Sequence, residues 1–432
     1  MKFLMFTPAF KKSSIGSRAV NITKALLEQS HEVTVISTES DSLPTQEFHD
    51  FGAQVIRWNE QQKISEKITE DTISIYQIGD NLDFHEGGLY WLSILPGIVC
   101  LHDFYLGNLF FGWARNRHEK AKNILSYWYE SNTAANFFSH SDSKSFIEAT
   151  HKNSPMTEWI CSQALGVITH SSWGCDRVLK SCPGPVLVVP MAFDPPKETQ
   201  TLSNTKESHE NKNINLLTIG HANPNKRLES VIEAIGSNPI LKEKVIYRSV
   251  GYASDETKED LIALASKLGV NFTISGEVSD SELAQAINSC DIVSCLRWPT
   301  LEAASGSAIE SMLYGKPIIV TNIGFYSEIP DEYVFKVSIE NEINDIANAL
   351  LYSVENRNEL FKLGEKAKGW AKNTFNSENY ATQIVSLSKE LFKISPITKS
   401  VEYFTEILES WSTSVRVIEN SKTIYPLKIF EF

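Results

Sequence analysis

The sequence predicts an α/β protein built from two doubly wound domains, and three observations carry that prediction. The chain has 432 residues, more than a single hydrophobic core usually serves, so two domains are expected. Apolar runs of strand length alternate with helical periodicity from the first residue, the pattern from which βαβ units build parallel sheets. A polar stretch at 197–213, KETQTLSNTKESHENKN, breaks this alternation, which then restarts; such a composition reads as a linker or surface loop. The expected division is an N-terminal domain at 1–195, a linker or loop at 196–212, a C-terminal domain at 213–375, and a closing helix with a tail at 376–432.

In the first half, Phe3–Phe6 reads as a strand, a loop reaches Gly16, Ala19–Leu27 has helical spacing, and Glu32–Ile36 returns as a strand. Further strands are expected at Ser74–Ile78, Ile98–Leu101, Gly166–Thr169 and Val186–Val189. The apolar stretch Gly88–Trp113 contains Pro96, His102 and Asp103, which favours a buried strand with its flanks over a membrane span. In the second half, strands Ile214–Ile219, Val245–Val250, Phe272–Ile274 and Asp291–Leu296 alternate with helices Arg227–Ile235, Lys258–Leu268 and Asp280–Ile287. Around 300–321, Ser305 suits an N-cap, Ala308–Tyr314 are helix formers, and Gly315 can take the left-handed closing position. Pro317 prevents continuation, and Ile318–Thr321 forms the next strand. Near the end, Tyr403, Phe404, Ile407, Leu408 and Trp411 form an apolar stripe beside Glu402, Glu406 and Glu409, a packing face rather than a membrane anchor.

Composition excludes some classes of function. With 42% hydrophobic and 22% charged residues the chain can bury large cores and is not a disordered chain. A net charge of -13 leaves no basic footprint, so nucleic acid is not expected as a partner. The six cysteines show no Cys-x-x-Cys pairing, which fits free thiols in a reducing compartment, hence a cytoplasmic location. The N-terminal MKFLMFTPAFKK has too short an apolar run for a signal peptide. No metal-ligand spacing is evident.

Ligands of doubly wound sheets bind at the carboxyl ends of the strands, so residues just after strands are the candidates. Backbone N–H groups at Gly306 and Ser307, behind Ser305, would point out of a helix N-terminus toward a phosphate or a sugar hydroxyl. Glu302 precedes this turn, and Glu310, one helical turn in, could accept from a vicinal diol such as ribose; the same two residues fit a solvated loop acid and a surface helix acid equally well. A Walker A reading fails, because Gly315-Lys316 closes a helix and Pro317 replaces the required hydroxyl. Lys226 and Arg227 stand where a helix begins, a poor place for cations unless an anion such as a diphosphate neutralises them; otherwise they are solvated. His102, after an apolar run, could donate to a sugar hydroxyl or a leaving group, or be a core histidine. Gly16 would let the backbone approach a ligand, although the GxGxxG pattern is absent.

Taken in order, these sites resemble the family-4 retaining glycosyltransferases over roughly residues 1–390. The most specific piece is Glu302-x7-Glu310 followed by Gly315-Lys316-Pro317, similar to that family's E-x7-E and G-K-P signatures. Arg297-Trp-Pro-Thr300 and Gly324–Pro330 resemble a bacterial branch that acts in surface-polysaccharide assembly. The resemblance implies the GT-B fold of two facing Rossmann-like domains. It further implies Glu302 on hydroxyls of the sugar, Glu310 on the ribose, Ser305, Gly306 and Ser307 offering N–H groups, Lys226 on the diphosphate, Gly16 in the N-terminal glycine loop and His102 near the sugar. His221 stands where the family has arginine, so Arg227 or Arg297 would have to supply the second phosphate cation, and Ser30 replaces a common glycine.

The expected function is transfer of a sugar from a UDP- or GDP-linked donor to a glycan or lipid-linked glycan, with no cofactor and no metal. Retention by double displacement would need a positioned carboxylate nucleophile. If Glu302 holds hydroxyls instead, the family's front-face mechanism is implied, in which the phosphate takes the acceptor's proton. Phe110–Trp113 and Arg115–Lys122 mix aromatic and basic residues, which fits either peripheral contact with an anionic membrane face or a solvated basic helix. Two other readings compete: a catalytically silent relative acting as a partner protein, and a nucleotide-sugar epimerase.

Overall fold

The computed structural model describes residues 1–140, 142–196 and 213–410. The linker expected at 196–212 lies outside the described residues from 197 onward, as do Trp411 and the side chains of Tyr403, Phe404 and Leu408 in the apolar stripe. The chain divides into Met1–Gln383 and Ile384–Phe432. In the second unit the described residues, up to Ser410, are helical, within a helix that begins at Ser377.

The first unit holds two parallel sheets. One contains β1 (Lys2–Thr7), β2 (Glu32–Ser37), β3 (Gln54–Arg57), β4 (Thr72–Ile78), β5 (Ile98–Leu101), β6 (Gly166–Thr169) and β7 (Val186–Val188), in the order β3-β2-β1-β4-β5-β6-β7. The other contains β8 (Ile214–Ile219), β9 (Val245–Val250), β10 (Asn271–Ile274), β11 (Ile292–Cys295), β12 (Ile318–Thr321) and β13 (Phe335–Val337), in the order β10-β9-β8-β11-β12-β13. Both orders reverse direction in mid-sheet, between β1 and β4 and between β8 and β11, and such switch points open a crevice at the strand ends.

The central strands are apolar because helices cover both faces. β5, β6, β11 and β12 are buried at every position. Phe6 of β1 stacks on Tyr76 of β4 with ring centroids 4.5 Å apart, and Val293 and Val320 join the core of the second sheet.

Helix starts and stops follow local chemistry. Ser13 caps the helix Ser14–Glu28, its Oγ accepting from Gly16 N at 3.0 Å. That helix ends at Ser30, whose φ of 63° is the left-handed conformation that glycine adopts most cheaply; the departure from the family's glycine therefore falls on a position whose backbone suits glycine. Ser305 caps the helix Gly306–Leu313, and Gly315 closes it at φ 73°. Lys316 donates to the carbonyls of Asn288 and Cys290 at 2.8 Å each, which makes it a structural tie. All six cysteines are free.

Candidate functional site

Main-chain pairing brings the ends of β5 and β11 together. Asp103 and Glu302 form an antiparallel bridge, Phe104 N and Tyr105 N both donate to Leu301 O at 2.9 Å, and Ala303 N donates to His102 O at 3.0 Å. Ser171 Oγ adds a bond to Ala303 O at 2.7 Å. Beside this seam lies a cavity of about 330 Å³ lined from both sheets. Ser14, Ile15 and Arg18 follow β1, His102 and Asp103 follow β5, Gly220 and Lys226 follow β8, and Arg297, Glu302, Ser305–Ser307 and Glu310 follow β11. Of the residues singled out in the sequence, His102, Lys226, Arg297, Glu302, Ser305, Gly306, Ser307 and Glu310 meet here. Gly16 and Arg227 do not line the cavity.

Glu302 is held by a cation and a phenol. Its Oε1 lies 2.9 Å from Arg297 Nε and accepts from Tyr326 Oη at 2.5 Å. Among the described residues none reaches Oε2, which is left for an outside hydroxyl. The Arg297 side chain is only 6% exposed. Burial opposes its charge, but Glu302, Tyr326 and Cys295 outweigh that and hold its pKa above the ordinary value. Arg297 Nη2 also donates to Ser307 Oγ at 3.3 Å, tying the ion pair to the helix start.

Lys226 is buried, and its Nζ donates to Ile219 O at 2.6 Å. Burial first and Arg297 second bring its pKa down to about 7, against the opposing pull of Glu302. Space for it depends on Gly220, at φ +90°, because a Cβ there would stand 2.4 Å from Lys226 Nζ. Arg227 takes a different direction: at φ 58° it makes a bidentate pair with Glu342, Nη2 to Oε2 at 2.7 Å. Gly16 sits under the Pro8 carbonyl, 2.4 Å from an added Cβ, so it permits close packing of the loop whose neighbours Ser14, Ile15 and Arg18 reach the cavity.

His102 is buried with Nε2 2.7 Å from Gln77 Oε1, while the Gln77 amide nitrogen faces Met5 Sδ. That orientation of the amide makes Nε2 the protonated nitrogen and Nδ1 an acceptor. Burial, then His170, His85 and Arg18, push its pKa well down, so the ring is neutral. Glu310 has its carboxyl pKa raised by burial, with Arg18 opposing and Asp280 reinforcing.

Two charged residues of the cavity were given no role in the sequence reading. Asp103, with Oδ2 accepting from Asp80 N at 2.9 Å, has its pKa raised to about 7 by burial, opposed by that N–H and reinforced by Glu302. Arg18 lies with its Cζ 3.8 Å over the centroid of the Phe193 ring.

The arrangement offers cations and helix N–H groups to an anion, carboxylates to hydroxyls, and a neutral imidazole at one wall. Residues 200–370 match the family model described as glycosyl transferases group 1. No curated protein matches the chain. Among solved structures, the chain is similar to HepE of Anabaena in complex with UDP and glucose, at 14% identity and a TM-score of 0.58, with 92% of this chain and 99% of that one covered. It is similar to WaaG, a glycosyltransferase involved in lipopolysaccharide biosynthesis, at 14% identity and 0.58, over 89% and 99%. It is also similar to a mutant of TarM from S. aureus in complex with Fondaparinux, alpha-GlcNAc-glycerol and UDP, at 12% identity and 0.60, over 90% and 99%. The two sheets of the first unit thus form the GT-B fold, and the second of them lies within the residues that match the glycosyl transferases group 1 model.

Proposed function

We propose that this protein is a retaining, metal-independent glycosyltransferase of the family-4 type that moves a sugar from a UDP- or GDP-linked donor to a glycan or lipid-linked glycan in cell-surface polysaccharide synthesis. The observation that carries the reading is the single cavity in which Lys226, Arg297, Glu302, Glu310, His102 and the helix start at Gly306 converge. The match to the group 1 glycosyltransferases and the nucleotide and lipopolysaccharide descriptions of HepE and WaaG support it.

In this reading the diphosphate lies against Lys226 and the N–H groups of Gly306 and Ser307, Glu310 accepts from the ribose, and Glu302 Oε2 and His102 meet the sugar. As the bond from C1 to the diphosphate oxygen breaks, negative charge grows on the leaving group, and fixed cations with a helix N-terminus stabilise it. The new bond forms from the acceptor oxygen to C1 on the same face, and the acceptor's proton passes to a phosphate oxygen. With Oε1 engaged by Arg297 and Tyr326 and Oε2 taken by a sugar hydroxyl, Glu302 in this reading is a binding acid and not the nucleophile of a double displacement. These cations would supply the positive charge on their own, so turnover is expected to persist in EDTA.

The test is thermal stabilisation and nucleotide release with a panel of UDP- and GDP-sugars. One nucleotide family is expected to stabilise the protein and be hydrolysed or transferred, and Glu310→Ala is expected to weaken its binding about tenfold, the scale of a hydrogen bond to a charged group. Stabilisation by no nucleotide would overturn the reading. Stabilisation without release, with every acceptor class tried, would favour the silent relative.

For the acceptor, the helix His118–Trp128 buries Ala121 and Leu125 and exposes Lys120 and Lys122, next to exposed Arg115 and Arg117, with Tyr127 75% exposed. Among the described residues no helix is long and apolar enough to cross a membrane. We propose that this basic and aromatic surface brings the protein to the cytoplasmic face of the membrane. Binding to vesicles containing anionic lipid is expected to fall by about a hundredfold in the Arg115→Glu, Lys120→Glu, Lys122→Glu triple variant, at about 1 kcal/mol per basic residue, and to weaken with added salt. Equal binding of wild type and variant would remove the membrane role.

A further inference from the structure

The cavity's charges do not balance without Arg18. Its carboxylates are Asp103, Glu302 and Glu310, while the other cations are Lys226 and Arg297, and Arg297 is already paired with Glu302. A further cation facing this lining would favour an anionic diphosphate there.

Arg18 is built for that place. It projects from the helix Ser14–Glu28 of the first sheet's half, and its guanidinium covers the face of Phe193 at 3.8 Å. Phe193 in turn abuts the start of the helix Gly306–Leu313, since a Cβ on Gly306 would lie 3.6 Å from the ring. The guanidinium is therefore stacked on the ring that borders the N–H groups of Gly306 and Ser307. Its Nη2 donates to Ser17 Oγ at 2.9 Å, which uses one of its five N–H donors. Among the described residues no carboxylate forms an ion pair with it. Burial lowers its pKa, and Glu310, Asp194 and Asp280 act on it only from a distance, in the opposite direction. A half-buried cation with no ion-pair partner costs stability in a fold, and an anionic ligand would offset that cost.

We propose that Arg18 is the second phosphate-binding cation of the sugar donor's diphosphate, supplied from the N-terminal half and taking the place that neither His221 nor Arg227 fills. This rests on the donor-site reading above. Arg227 is committed to Glu342, and Arg297 is neutralised by Glu302. Because Arg18 and the helix start at Gly306 belong to different halves, one diphosphate held by both would join them.

The test compares wild type, Arg18→Gln and Arg18→Lys by calorimetric titration with UDP and GDP, with the corresponding nucleoside, and by melting of the free proteins. Arg18→Gln is expected to weaken the diphosphate about tenfold or more, the scale of charge-assisted hydrogen bonds, while the nucleoside binds both forms alike. The free Arg18→Gln protein should melt no lower than wild type, because an unpaired charge has gone; a structural role for the stacked guanidinium would lower it. Arg18→Lys is expected to recover part of the affinity, since it keeps charge but loses the planar fork. Equal diphosphate affinity in wild type and Arg18→Gln overturns the proposal, and so does an equal loss for the nucleoside, which would assign Arg18 to the ribose or base. Binding of neither nucleotide by wild type sinks the donor-site reading and this proposal with it.

Discussion

Glu302→Gln is expected to abolish turnover and also to destabilise the protein by about 3 kcal/mol, the lower end of what is lost when one member of a buried ion pair is removed. The glutamine keeps the volume but leaves the Arg297 guanidinium, 6% exposed, without a counter-charge, and Tyr326 without a carboxylate to donate to. Catalysis and folding can then be separated by a second change. Arg297→Met combined with Glu302→Gln removes the stranded charge and is expected to regain most of the stability, with no recovery of turnover. Coupling of this kind is what a double-mutant cycle measures for residues in contact. If Glu302→Gln unfolds at the same denaturant concentration as wild type, the ion pair contributes nothing and the assignment of Glu302 as a held, non-nucleophilic acid loses its basis.

The second large effect is a pH dependence that belongs to Lys226. Its pKa of about 7 in the free protein lies below the ordinary 10.5. Between those values the unfolded chain binds more protons than the folded one, so Lys226 makes stability rise with pH from about 7 upward and contributes a constant penalty below 7. A diphosphate prefers the charged amine, so ligand binding takes up a proton above pH 7. Affinity should fall by up to about tenfold per pH unit from 7 to 9. The fall should vanish in Lys226→Arg, whose charge persists throughout. Asp103, raised to about 7 from 3.8, acts with the opposite sign in the adjoining window: the folded state holds its proton while the unfolded chain has lost it, so its share of stability falls as pH climbs toward 7. Isothermal titration across pH 6–9 checks the first, and a flat affinity profile above pH 7 would contradict it.

How much of this was legible in the sequence depends on burial. Strands such as Ile98–Leu101 and Ile318–Thr321 are covered on both faces, so they appear as uninterrupted apolar runs and their limits could be read directly. β3, Gln54–Arg57, and β13, Phe335–Val337, are short edge strands with partly exposed residues, and nothing in their composition separates them from loop. At the site, the rule that ligands meet residues after strands located His102, Lys226, Glu302 and Glu310. It pointed to Leu101-His102-Asp103 as a stretch, but only the histidine was given a role there. Arg18 carried the same signal that drew attention to Lys226, a cation near a helix start. The two basic neighbours Lys226 and Arg227 looked alike in sequence. What separates them is a left-handed residue at 227 and a carboxylate 115 positions later, both products of the tertiary fold.

The seam between β5 and β11 sets how the cleft can move. Three backbone hydrogen bonds fasten Leu301–Ala303 to His102–Tyr105, immediately beside Glu302, and Ser171 holds Ala303 with a fourth bond. Any parting of the two halves that keeps these bonds has to turn about them, so the seam is a fulcrum. Near a fulcrum displacement is small, and it grows with distance along the lever. His102 and Glu302 therefore keep their register through such a swing, while Arg18 and the helix at Gly306, which have no backbone bond between them, are free to separate.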